Sequence, residues 1–146
     1  MEKQEIPESK LYHGKPFSKL SNDESVRAVE EGIKPIVFTY NKIDSPLPCI
    51  EFEAPTIILD DNNIVKSVFL EKKYIYFRKD QEVNAKRVAH LNLEMMKERF
   101  GNYKVGDRYI PKRVSDAYHK ELGQLLGYSN EEIEQFVQGQ NQRQNM

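Results

Sequence analysis

The sequence predicts an α+β domain: a mainly antiparallel sheet of four to five strands, packed by one long helix and closed by a C-terminal helical hairpin. Three observations predict it. The stretch "PTIILDDNNIVKSVFLEKKYIYFRK" is dense in β-branched and aromatic residues. The following "QEVNAKRVAHLNLEMMKER" contains no helix breaker. Two Ser-x-x-Glu patterns, at Ser21 and Ser129, mark helix starts.

Taken in order, "MEKQEIPESK" has neither hydrophobic period, so residues 1–16 read as an extended or mobile arm before a single domain over 17–138. Ser21 with Glu24 opens a short helix that Gly32 and Pro35 close. "IVFTY" and "CIEFE" are strands on either side of a proline-rich loop. The β-rich stretch then splits into a three-strand meander at "DDNN" and "EKK", with Ile75 and Phe77 facing the core and Tyr74, Tyr76 and Arg78 facing the other way. Asp80 caps a helix over 81–99, whose stripe of Val88, Leu91 and Met95, flanked by Ala85, Ala89, Leu93 and Met96, covers the sheet. "GNYKVGDRYIPKR" reads as a loop with room for one short strand. Ser115 caps a helix carrying Tyr118, Leu122, Leu125 and Leu126. Gly127 ends it, and Ser129 with Glu132 starts a second helix with Ile133, Phe136 and Val137 as its stripe. Residues 139–146 have nothing to bury and are expected to be a disordered tail.

A chain of 146 residues can bury one core without disulfides or a structural metal. Its single cysteine, Cys49, excludes an internal bridge and reads as a small buried thiol. No basic start followed by an apolar stretch suggests a secretory leader, and no apolar run is long enough for a bilayer, so a soluble cytoplasmic protein is expected. The net charge of −1 is unevenly spread: residues 1–63 carry −5, residues 64–113 carry +7, and residues 114–146 carry −3.

Isolated chemical groups are present, but no complete catalytic motif. His90 and Glu94 have a spacing that can bring two ligands to one metal, yet no third ligand is evident, so neither a metal nor a cofactor is expected. Asp60 and Asp61 read as hairpin chemistry. His119 falls at the edge of its helix's apolar face, where a partly buried histidine bonded to a neighbour is the ordinary outcome. Gly123, inside that helix, signals close packing.

The segment from His119 through Leu122–Gly123, Leu125–Leu126–Gly127–Tyr128 and on to Phe136 resembles a prokaryotic family of unassigned activity. That family's pattern is His-x-x-Leu-Gly-x-Leu-Leu-Gly-Tyr-Pro, then Cys-Cys and Phe. Here Ser129 replaces the proline and Glu131 and Glu132 replace the cysteines, so the resemblance implies a helical hairpin and no thiol chemistry. "LYHG", Leu11 to Gly14, is similar to the first-strand motif of ADP-ribosyltransferases. The resemblance implies that His13 would hold the ribose of NAD. Lys15 stands in place of the usual hydroxyl residue, and no late strand carries a catalytic acid.

Two binding readings remain. The segment 64–113 interleaves Lys73, Arg78, Arg108, Lys112 and Arg113 with Tyr74 and Tyr76, which suits attraction to phosphates and base stacking in single-stranded nucleic acid. The first expectation is instead a non-catalytic protein-interaction module, because an enzyme needs converging polar groups and those here are scattered along the chain.

Overall fold

The computed structural model describes residues 6–144, with side chains to 139. The order is β1 (Leu11–Tyr12), β2 (Lys15–Pro16), α1 (Asn22–Glu30), β3 (Ile36–Thr39), β4 (Cys49–Leu59), β5 (Val65–Phe77), α2 (Glu82–Phe100), α3 (Asp116–Leu125) and α4 (Asn130–Gln144). The protein is α+β, with every ladder antiparallel: β1 pairs with β2, and a second sheet has the order β3-β5-β4.

That sheet has three strands rather than four or five. "EKK" has turn-like composition, yet residues 65–77 form one continuous strand, because Lys72 and Lys73 pair with Glu53 and Phe52 and keep the ladder running. The turn lies only at 60–64, where the Asp60 carboxylate accepts from the Asn62 and Ile64 amides and Asn63 takes a φ of 62°.

Side-chain alternation sorts the sheet into two buried faces. Ile36, Ile75 and Phe77 meet Ala85 and Val88 of α2 and Leu126, which follows α3, and Phe38, Ile50 and Phe52 pack at the margin. Val37 and Tyr76 meet Val26 and Val29 of α1 on the reverse face. The stripe of α2 is centred on Ala85, Val88, Asn92 and Met96 rather than on Leu91 and Met95, since Asn92 is recruited into the interior by Lys73. Asp80 does not cap α2: it lies in a 3-10 turn and faces Arg78 at 3.7 Å.

Both capping boxes form. Ser21 and Glu24 exchange hydrogen bonds at the start of α1, and Ser129 and Glu132 do the same before α4. The expected arm is ordered from residue 6, because Tyr12 is buried beside Phe17 and Ala28 and its hydroxyl donates to Glu31. The expected tail is helical to Gln144, and residues 1–5 and 145–146 lie outside the described residues. Among the described residues no helix is long and apolar enough to cross a membrane.

Gly123 lets α3 and α4 close on one another. A Cβ at this position would stand 2.7 Å from Ile133 Cγ1. Gly123→Ala should therefore cost about 1–3 kcal/mol through overpacking, read as a lowered urea midpoint with an unchanged slope.

Candidate functional site

The length mismatch between β3 and β5 creates the most distinctive surface. Four residues of β3 pair with Tyr74–Phe77, whereas β5 reaches back to Val65. Beyond Thr39, whose hydroxyl donates to the Asn41 carbonyl at 2.8 Å, the chain bends out of the sheet. At the far end the loop after α2 takes the same side of β5: Val65 N donates to Asp107 O and Gly106 N donates to Val65 O, both at 2.9 Å. Between these two neighbours, among the described residues, nothing pairs with residues 66–72 on this side.

Proline fixes which backbone groups point into that opening. Pro55 has no N–H and lies opposite Leu70, so this pair cannot be one that exchanges hydrogen bonds within the β4–β5 ladder. The N–H and C=O of Leu70 therefore point away from β4, as do those of Val68 and Lys72 by the two-residue period. The hydrogen bond from Phe77 N to Pro48 O at 3.1 Å agrees, since odd-numbered residues turn towards the β4 side.

The side chains are unusually apolar for a free edge. Val68 and Phe69 are each 40% exposed, Leu70 is 60% exposed and Ile58 on β4 is 47% exposed. Val68 and Leu70 share a face with Lys72 at one end of the opening, and Lys66, left unpaired where the ladder shifts register between Ile58 and Leu59, stands exposed at the other. Lys72 faces Glu51 at 3.5 Å, with both side chains more than half exposed, and Lys66 has no ion-pair partner among the described residues. Glu71 alternates to the opposite face. The edge can thus offer three N–H and three C=O groups in a row, apolar contacts between them, and a cation at each end.

The residues expected to form a nucleic-acid platform are dispersed. Tyr76 is buried under α1, and its hydroxyl donates to Ile43 O at 2.9 Å and accepts from Ile43 N at 2.6 Å. Tyr74 packs against the same cluster, so the outward stacking pair read from alternation is covered by α1. Lys73 is 1% exposed beneath the opposite face. Its ammonium donates to Asn92 Oδ1 at 2.8 Å, lies over the Phe38 and Tyr40 rings, and has its pKa lowered by burial. Arg78 donates to Gly32 O at 3.1 Å, and Arg113 pairs with Asp116 at 2.8 Å. Arg108 bridges Ile64 in the loop at the far end, and Lys112 lines a cleft there with Arg99. The +7 of the segment is therefore divided among both faces and the loop.

His13 and Gly14 form the two-residue turn between β1 and β2, with φ of 49° and 78°. This is type I′ geometry. His13 is exposed, with its ring edge-on to Tyr12 at 4.3 Å. Cys49 is exposed rather than buried, because it starts the edge strand β4. His90 and Glu94 are exposed, and no group of three or more candidate metal ligands gathers among the described residues.

His119 borders a cleft of about 370 Å³ between α3 and α4, walled by Leu122, Ile133 and Phe136 with Glu132 nearby. Its Nε2 is buried without a hydrogen-bond partner, and burial lowers its pKa. Phe136, expected in the core, is 58% exposed and covers the imidazole edge-on at 4.9 Å. Glu132 is occupied by the Ser18 amide at 2.8 Å and by its own capping box. The cleft thus combines a structural carboxylate with a shielded imidazole whose charged form is disfavoured by burial.

No protein-family model, curated protein or solved structure matches the chain.

Proposed function

We propose that this chain is a non-catalytic protein-binding module that receives an extended segment of a partner as an added strand along the open edge of β5. The observation that carries this reading is the outward row of backbone groups at Val68, Leu70 and Lys72, bracketed by β3 and the Asp107 loop. An edge with apolar side chains and free backbone groups is a pairing template, and strand addition supplies main-chain hydrogen bonds with pockets for alternate side chains. The nucleic-acid reading has less support, since the tyrosines it needs are covered and the cations are spread over several surfaces.

The test uses a blocked Thr-Val-Thr-Val-Thr-Val-Thr peptide and amide hydrogen exchange followed by NMR. Binding should slow exchange at the Val68, Leu70 and Lys72 amides. Ser67, Phe69 and Glu71, whose amides already face β4, should change little. Saturating peptide that left the three edge amides unprotected would overturn the reading.

A further inference from the structure

The opening on β5 is bounded at both ends, which restricts what can enter it. A strand laid beside residues 66–72 is collinear with β3 at one end and meets the Gly106–Asp107 backbone at the other. At about 3.3 Å per residue the opening holds about seven extended residues before the incoming chain must leave the plane. A second copy's β5 does not fit. It runs for thirteen residues with its own β3 and its own loop on the pairing side, so those neighbours would occupy the same space as the first copy's. The second copy's β4 is eleven residues long, and Pro55 interrupts its outward donors.

The charges narrow the occupant further. Lys72 and the bulged Lys66, both exposed, stand at the two ends of the opening, with the apolar pair Val68 and Leu70 between them. Of the nearby carboxylates, Glu51 on β4 faces Lys72 at 3.5 Å in an exposed pair and Glu53 lies directly opposite Lys72, so that end is partly neutralised from the β4 side. Glu71 projects from the other face and the Asp107 carboxylate accepts from the Lys104 amide at 2.8 Å, which leaves Lys66 as the end with no ion pair among the described residues. Opposite-charge pairs directly across two strands are favourable, and like charges there are unfavourable.

We infer that the partner is a short linear segment of another protein, about seven residues in extended form, with apolar residues at alternate positions and an acidic residue at each end. This rests on the strand-addition reading and adds to it a length limit and a charge rule. Because the lysines stand at both ends, the charge rule holds for either direction of the incoming chain.

The experiment compares two blocked peptides, Glu-Thr-Val-Thr-Val-Thr-Glu and Lys-Thr-Val-Thr-Val-Thr-Lys, on the native chain and on the Lys66→Glu/Lys72→Glu variant. Affinity is measured by titration, and edge protection by hydrogen exchange. The acid-ended peptide should bind the native chain about tenfold more tightly than the lysine-ended one, with the order reversed on the variant. Lengthening the acid-ended peptide by further Thr-Val repeats outside its glutamates should add no protected amide in β5. Equal binding of both peptides, with protection at Val68, Leu70 and Lys72, would overturn the charge rule and leave strand addition standing. No protection with either peptide would overturn both. Protection spreading past Lys66 or Lys72 with the longer peptide would overturn the length limit. Circular dichroism of the variant supplies the folding control, since both lysines are exposed.

Discussion

Ile75→Ala should lower the unfolding free energy by about 2–5 kcal/mol, while Leu70→Ala, five residues earlier on the same strand, should change it by no more than about 0.5 kcal/mol. Ile75 has no exposed surface; it lies opposite Phe38 on β3 and Ile50 on β4, under Ala85 and Val88. Truncation there leaves a cavity that two strands and a helix cannot all move to fill. Leu70 is 60% exposed, and its side chain already meets water. The binding assay should reverse the order. Leu70→Ala should weaken the acid-ended peptide while leaving the fold intact, because Leu70 stands at the middle of the open edge. Urea titrations of both variants, beside peptide titration of the second, check the contrast. Equal stability losses would mean that the edge is part of the core.

The second large effect is a rise in stability between about pH 7 and the ordinary lysine pKa of 10.5, set by Lys34. Lys34 is 2% exposed, and its ammonium donates to Ile36 O at 2.5 Å and Leu126 O at 2.7 Å, with the Phe17 and Tyr128 rings alongside. Burial lowers its pKa to about 7; Glu132 acts in the opposite direction and Lys10 in the same one. The unfolded chain keeps its proton up to the ordinary value, whereas the folded chain loses it near 7. Between these limits the unfolded state binds more protons, so stability increases with pH. Below 7 the folded state must carry the buried charge, and the penalty is present in full. Above about pH 10 the raised pKa values of Tyr76 and Tyr128, both caused chiefly by burial, bring stability down again. Melting temperatures measured across this range should pass through a maximum on the alkaline side. Lys34→Met should flatten the rise, and a variant that kept the native slope would exclude Lys34 as its source.

Local signals in the sequence were the most legible. Ser21–Glu24 and Ser129–Glu132 specify helix starts because the partners are three residues apart and need no tertiary neighbour. Gly123 announced a helix contact, and Ile133 supplies it. Properties set by distant pairing were hidden. "EKK" looks like a turn until Phe52 and Glu53 are known to lie opposite Lys73 and Lys72. Tyr74 and Tyr76 alternate like an exposed platform because alternation gives a face but not what covers it; α1 does. The burial of Lys73 depends on Asn92 and on two aromatic rings from another part of the chain. The open edge could not be read at all, because it is the difference in length between two strands far apart in sequence. Its one local trace was the alternation of Lys66, Val68, Leu70 and Lys72, which composition absorbed into a basic segment.

Pro55 gives the sheet a valence. A strand that docks on an open edge normally brings its own outer edge, and a sheet with two receptive sides can then recruit at either one and grow without limit. Here the β4 side lacks a donor midway along its length, and the β5 side is closed at both ends by the protein's own backbone. On the strand-addition reading proposed above, the opening takes one segment per chain. On the same reading, the interrupted donors of β4 and the bounded opening of β5 keep the exposed leucine and valine from templating a continuous sheet of this protein's own copies.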